Sequence, residues 1–258
     1  MELEERTGYA EGEDYAGTRI STGSDYIDKA LRGGIPLGSL TLVEGPSGSG
    51  KSVMCQHLAF GSLMADLLVA YFLSKGTVED LVGNMSALGL DVSEDVSAEQ
   101  LRIYPMGEIG DRRRDSRALL KSMLDHVSKR VEEGVDVVIV DDFASTLSRA
   151  GADDGVRFVS KCKTMSRRGL TLMFAIHTSA FDKELAWRFH RAFDTHVSLN
   201  LEGQKRGWEM EVVNLMELKK VDNLAPSGGS PIYFRVNPEL GASMNISLDV
   251  LPIFKIRV

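Results

Sequence analysis

Eight consecutive residues, Gly45-Pro46-Ser47-Gly48-Ser49-Gly50-Lys51-Ser52, fit the pattern G-x-x-x-x-G-K-[ST] at every fixed position. These residue types suit a phosphate chain. Glycines let successive backbone N–H groups converge on phosphate oxygens, and the start of a following helix adds its positive end. Lys51 would then reach the β- and γ-phosphates, Ser52 would offer its hydroxyl to Mg2+, and Val53 continues the set into the helix. A magnesium ion held this way also needs a carboxylate. Val137-Val138-Ile139-Val140-Asp141-Asp142 provides one, because four β-branched residues form a buried strand that presents Asp141 at its C-terminal end. The expected ligands are therefore ATP on residues Gly45 to Val53, and Mg2+ on Ser52 and Asp141. Asp142 reads as a supporting or capping group.

Positioning those groups requires an α/β domain with a largely parallel sheet, and the chain alternates strand-length apolar runs with helical patterns. Leu40 to Glu44 leads into the glycine-rich turn, and a helix over Lys51 to Ala65 follows it. Leu67 to Leu73 precedes a helix over Val78 to Leu88, and Leu101 to Tyr104 precedes a long amphipathic helix from about Arg117 to Glu132. After the Val137 strand come a helix over about Gly155 to Arg168, a strand over Thr171 to Ile176 and a helix around Lys183 to Ala192. From His196 onward the pattern changes to short strands separated by turns. Trp208 to Leu218, Pro231 to Val236 and Pro252 to Val258 read as an antiparallel C-terminal extension starting at about residue 194, with Ser227-Gly228-Gly229-Ser230 as a tight connection.

The chain has 258 residues, enough for one large domain with a sizeable core. Its formal charge is −7, of which −5 falls in residues 1–17, where six acids accompany one arginine. That segment is expected to be a disordered acidic tail, with a single domain over 18–258. The body is then nearly neutral, so net charge does not exclude an anionic ligand at Lys51. Two cysteines, Cys55 and Cys162, are too few for a disulfide framework. No apolar run is long enough to span a bilayer and the N-terminus is too acidic for a signal peptide, which points to a cytoplasmic protein.

Upstream of the loop, Ser21-Thr22-Gly23 and Ile27-Asp28, then Leu31, then Gly33-Gly34-Ile35-Pro36-Leu37-Gly38 complete a string that resembles the RecA/KaiC superfamily of ring-forming ATPases. Gly169 to Phe181, Phe234 to Gly241 and Pro252 to Lys255 further resemble the FlaH (ArlH) family, the KaiC-like ATP-binding components of the archaellum, the archaeal motility motor. The resemblance implies a RecA-like core whose mostly parallel twisted sheet is flanked by helices, with antiparallel C-terminal strands. It also implies a homo-oligomeric ring, expected to be a hexamer, docked peripherally at the inner face of the cell membrane. The implied partners are the motor ATPase FlaI (ArlI), a platform membrane protein and a scaffold ring. Nucleic acid is not among them, because Ala150 to Asp154 after the Asp141 strand carries two acids and no base.

Hydrolysis in this superfamily needs a carboxylate near the end of the second strand to orient water. Here Lys75 and Gly76 stand where the acidic pair is expected, and a lysine does not accept a proton at neutral pH unless strongly desolvated. Glu79 and Asp80 lie at the start of the next helix, where the dipole favours acids anyway, so Glu79 is the candidate catalytic carboxylate. His177 is the second candidate, at the end of the fifth strand where relatives sense the γ-phosphate; a structural histidine is the alternative. Lys219 and Lys220 replace a K-x-R element that relatives reach across a subunit interface, and a lysine lacks the arginine fork. The expectation is weak or absent hydrolysis, with nucleotide acting as an assembly switch. An active KaiC-like or RadA-like ATPase of signalling or recombination is the competing reading, and a small-molecule kinase is disfavoured because no arginine-rich lid is evident. His57, His126, His190 and His196 show no spacing that suggests a metal site. Arg112 to Arg114, the cluster Lys161, Lys163, Arg167 and Arg168, and Trp208 read as solvated or packing residues.

Overall fold

A computed structural model describes residues 18–106, 116–143, 152–180, 183–206, 209–224, 231–235 and 249–251. The acidic segment 1–17, Arg112 to Arg114, Trp208, the Ser227–Ser230 connection and the strand expected over Pro252 to Val258 lie outside these residues.

The elements run β1 (Arg19–Ile20), α1 (Asp25–Ala30), β2 (Ile35–Pro36), β3 (Leu40–Gly45), α2 (Lys51–Leu63), β4 (Val69–Leu73), α3 (Val78–Ala87) and α4 (Ser93–Ser97). They continue with β5 (Leu101–Pro105), α5 (Ser116–Glu132), β6 (Val137–Asp141), α6 (Ala152–Ser166), β7 (Thr171–His177), α7 (Lys183–His190), β8 (Thr195–Arg206), β9 (Glu209–Lys220), β10 (Ile232–Arg235) and β11 (Asp249–Leu251). Nine strands form one sheet in the order β11-β10-β9-β8-β3-β7-β6-β4-β5. From β8 to β5 neighbouring strands run parallel, and β9, β10 and β11 add in antiparallel fashion.

The β-branched and aromatic runs account for the centre of this sheet. All five residues of β4 and of β6 are buried, as expected where helices cover both faces. On one face Met54, Cys55 and Leu58 of α2 pack with Ile27 and Leu31, Leu81 and Met85 of α3, and Val43, Tyr71 and Ile139 of the sheet. On the other, Leu120, Met123 and Val127 of α5, Phe158 and Cys162 of α6 and Phe189 of α7 meet Leu42, Phe72, Val140 and Phe174. The period-2 alternation along each strand therefore feeds two separate cores. Ahead of β3, β1 and β2 form a small antiparallel pair. There Arg19 donates to the carbonyls of Leu31 and Gly34 at 3.1 and 2.9 Å, and pairs with Asp222 at 2.6 Å.

At the C-terminal side the structure bears out antiparallel strands, β9, β10 and β11, but not that they are all short or that the parallel sheet ends before them. β8 first pairs parallel with β3, Thr41 to Glu44 opposite Thr195 to Ser198. β8 and β9 are each 12 residues long. Leu201, Glu202 and Gly203 of β8 and Val212 of β9 are exposed, so a polar residue and a glycine interrupt the apolar pattern without ending the strand.

Candidate functional site

The ends of β3, β7, β6 and β4 bring the expected residues together. Gly45 lies opposite His177 across β3 and β7, and Leu73 lies opposite Asp141 across β4 and β6. Ligands bind at such C-terminal edges in open α/β sheets.

The loop after β3 turns sharply enough to need glycine. Gly48 and Gly50 have φ of 79° and 91°, in the left-handed region that glycine adopts without strain. Gly45 is required for a different reason: a Cβ there would lie 2.3 Å from Ser49 Oγ and 2.6 Å from the Leu199 carbonyl oxygen. Ser49 N–H donates to the Pro46 carbonyl at 3.3 Å, and Lys51 Nζ donates to the same oxygen at 2.9 Å. Ser49 Oγ is buried, and among the described residues it has no hydrogen-bond partner. Left-handed glycines, a lysine resting on a carbonyl and an orphaned hydroxyl together suit a ligand rich in acceptor oxygens.

Asp141 joins the loop directly. Ser52 Oγ donates to Asp141 Oδ1 at 3.0 Å, and Tyr71 O–H donates to Oδ2 at 2.9 Å. Burial pushes the Asp141 carboxyl above its ordinary range, opposed by the two hydroxyl donors and Lys51 and reinforced by Asp142. Burial likewise pushes the Lys51 ammonium down, Asp142 and Asp141 pull it back up, and the Lys75 charge adds to the downward push. A cation and polyphosphate arriving together would relieve both groups, since each is a charge held partly out of water. Tyr71 and Cys55 are driven up by burial and stay protonated, the tyrosine as a donor and the cysteine as an inert thiol.

His177 touches the loop itself. Ser47 N–H donates to His177 Nε2 at 3.2 Å, while Nδ1 lies 2.8 Å from Ser179 Oγ. Ser179 N–H also points at Nδ1, at 3.2 Å, so the ring is held between Ser47 and Ser179. Glu79 sits elsewhere, exposed in the first turn of α3, its carboxyl held low by its own backbone N–H and by the Thr77 side chain. Asp80 completes a capping box, accepting from Thr77 N–H at 2.9 Å and donating its own N–H to Thr77 Oγ1 at 3.2 Å. Lys220 donates to the carbonyls of Arg191 and Phe193, and Lys219 pairs with Glu217 at 2.9 Å. Lys163 pairs with Asp194.

Sequence reasoning missed Tyr71, Asn214 and a histidine pair. Asn214 of β9 donates through Nδ2 to the Gly48 carbonyl at 3.2 Å, a link that exists only because β8 and β9 fold back along the loop. Tyr71 faces Asp141 because β4 pairs with β6 in a register that puts Ile139 opposite Tyr71, with Asp141 two residues on and on the same face. A hydroxyl inside an apolar strand was its only signal. The sequence shows no pairing of His190 with His196 that suggests a metal site, yet in the structure both reach Glu44 Oε2, at 3.0 and 2.9 Å. Burial would raise the Glu44 carboxyl, but the two imidazoles outweigh it and hold it down to about 2. His57, by contrast, meets the Thr22 carbonyl, at 3.1 Å.

Comparison with known proteins decides the family, since the description "ATPase: KaiC" matches residues 20–220. The chain belongs to the KaiC family of ATPases. This KaiC-family chain is similar over nearly its whole length to curated archaeal flagellar ATP-binding proteins FlaH. It is 27% identical to that of Methanocaldococcus jannaschii over 237 residues, covering 89% of this chain and 96% of the relative. It is 25% identical to that of Sulfolobus acidocaldarius over 225 residues, covering 86% and 94%. The crystal structure of FlaH from Methanocaldococcus jannaschii superposes with a TM-score of 0.72 at 24% identity, over 89% of this chain and 99% of that one. The KaiC-family fold is RecA-like, with a mostly parallel sheet, flanking helices and antiparallel C-terminal strands. Among the described residues no helix is long and apolar enough to cross a membrane.

Proposed function

We propose that this chain binds ATP with Mg2+ at residues Gly45 to Val53 and serves, as FlaH proteins do by name, as an archaellum ATP-binding component. The observation that carries the reading is the 3.0 Å contact of Ser52 with Asp141, which puts the two expected magnesium-side groups side by side at the mouth of the phosphate loop. Bound Mg2+ supplies positive charge against the phosphates. The chain's own groups do the rest: loop N–H groups and Lys51 hold phosphate oxygens, Ser52 and Asp141 hold the metal side, and Tyr71 keeps Asp141 oriented.

Hydrolysis is weak or absent in this reading. Lys75 and Gly76 lie in the turn just past the end of β4, and the acids that follow are engaged in capping α3, Asp80 through both bonds of the box and Glu79 through Thr77. Nucleotide then acts by linkage, favouring the state that binds it, and the state favoured is a homo-oligomeric ring, a hexamer by analogy, at the inner face of the membrane. Its partners would be the motor ATPase FlaI, the platform membrane protein and the scaffold ring.

Size-exclusion chromatography with light scattering, with and without Mg-ATP, tests the switch. Wild type should shift to a larger species with nucleotide and Lys51→Ala should not; a wild-type chain that stays monomeric in saturating Mg-ATP refutes it. Nucleotide at 100 times its Kd should add about 2.7 kcal/mol to wild-type stability and nothing measurable to Lys51→Ala. Turnover equal to that of an active RecA-type ATPase under matched conditions would refute the slow-hydrolysis part.

A further inference from the structure

Glu44, His190 and His196 form a second cluster of ligating groups, on donor chemistry different from that of Ser52 and Asp141. Glu44 is the residue immediately before Gly45. In the parallel pairing of β3 with β8, Leu42 lies opposite His196 and Glu44 opposite Ser198, so Glu44 and His196 project from the same face. That face carries α7, anchored by Phe189 and by Phe193 just beyond its end. The last residue of the helix, His190, brings its ring to the same place. The two imidazole centroids are 4.4 Å apart.

The geometry is that of a coordination site. Both Nε2 atoms lie 2.9–3.0 Å from one carboxylate oxygen, and the three ligand atoms all fall within 4.8 Å of one another. A tetrahedral ion bound at about 2.0–2.1 Å separates its ligand atoms by about 3.3–3.4 Å, so the two His–Glu contacts need open by only a few tenths of an ångström, and the two Nε2 atoms, within 4.8 Å of each other, are in range of a shared ion. The side chains are mostly buried, at 14%, 8% and 29% exposure for Glu44, His196 and His190, which holds the first two in place and leaves the third as the access route. The cluster sits at the C-terminal end of α7, where helix carbonyls favour positive charge. The nearby Lys219 ammonium is already paired with Glu217. Two imidazoles and one carboxylate with a fourth position open select zinc and its first-row neighbours over magnesium or calcium, which prefer oxygen-only shells.

We propose that Glu44, His190 and His196 bind one zinc-type divalent ion, which fastens α7 to strands β3 and β8 one residue before the phosphate loop. The site is independent of the nucleotide reading, since none of its ligands belongs to residues 45–52 or to Asp141.

The test uses tag-free full-length protein with Co2+ and Zn2+ as probes. Co2+ should give the intense visible absorption of a low-symmetry, tetrahedral-type site, saturating at one equivalent per chain and bleached by Zn2+. His190→Ala and His196→Ala should each weaken binding by more than about 100-fold, beyond the loss seen when mere supporting groups of metal sites are changed. His126→Ala and Ser52→Ala should bind like wild type, the first excluding adventitious histidine binding and the second excluding the magnesium side of the nucleotide site. Zn2+ should raise the melting temperature of wild type and not that of His190→Ala. His190 lies at the rim, so that variant decides the question even if His196→Ala fails to fold. An absent visible band, or one of equal strength in wild type and His190→Ala, overturns the proposal.

Discussion

Tyr71→Phe removes a single hydroxyl from the floor of the nucleotide site and leaves the ring that packs against the core. Tyr71 is fully buried and Asp141 is 4% exposed, so bulk water has little access to replace the 2.9 Å bond. A hydrogen bond to a charged group contributes about 1.5–3 kcal/mol, equivalent to roughly 10- to 150-fold in the folding equilibrium. For a domain of this size each kcal/mol shifts the melting temperature by about 2–4 °C, so the substitution should lower it by about 3–12 °C. The sign of the pH dependence follows from Asp141. Its carboxyl is raised in the folded state by burial, and Tyr71 opposes the rise. A raised carboxyl contributes stability below its unfolded value and loses it as pH climbs through the folded value, and removing Tyr71 steepens that loss. The penalty of Tyr71→Phe should therefore be largest at neutral pH and shrink on acidification, where the protonated carboxyl needs only a neutral bond of about half the strength. Thermal melts of wild type and variant across that pH range measure it. An unchanged melting temperature, or a penalty that grows as pH falls, refutes the reasoning.

Gly45→Ala forces a Cβ to 2.3 Å from Ser49 Oγ and 2.6 Å from a strand carbonyl, so the loop must move; nucleotide-induced thermal stabilisation should vanish even where the fold survives. Asn214→Ala breaks the bond to the Gly48 carbonyl and should loosen the loop, weakening Mg-ATP binding by about fivefold for a bond worth about 1 kcal/mol, read by calorimetric titration. Asp194 is pushed up by burial, but Lys163, the Leu40 N–H at 2.9 Å and the Asn223 amide at 2.6 Å together hold it below its ordinary value. Its contribution is thus present above about pH 3.9 and is lost as pH falls further. Asp194→Asn should cost about 1–3 kcal/mol at neutral pH, and the gap to wild type should close in acid, followed by urea unfolding.

What was legible in the sequence was local. The phosphate loop, the four β-branched residues before Asp141 and the amphipathic helices each announce themselves within a window of a few residues, and the structure places them within about three residues of those windows. What was not legible depends on which strand lies beside which. Tyr71 meets Asp141 only through the β4–β6 register, and Asn214 meets Gly48 only through the long fold-back of β8 and β9. His190 and His196 are six residues apart with a helix end between them, a spacing that matches neither helix nor strand periodicity, and their common partner is more than 140 residues upstream. The two-residue strands β1 and β2 are too short to carry any period at all.

The strand that delivers the loop, β3, sits between β7 and β8, and both neighbours come from the last third of the chain. The bond from Ser47 to His177 spans 130 residues, that from Leu40 to Asp194 spans 154, and that from Asn214 to Gly48 spans 166. On a ribosome, the phosphate loop is therefore made early and shaped late. A nascent chain that ends before β7 contains every residue of the loop but neither strand that holds it, and closing such long loops is entropically slow until both are available. The loop is thus fully framed only in a polypeptide whose synthesis has passed β8.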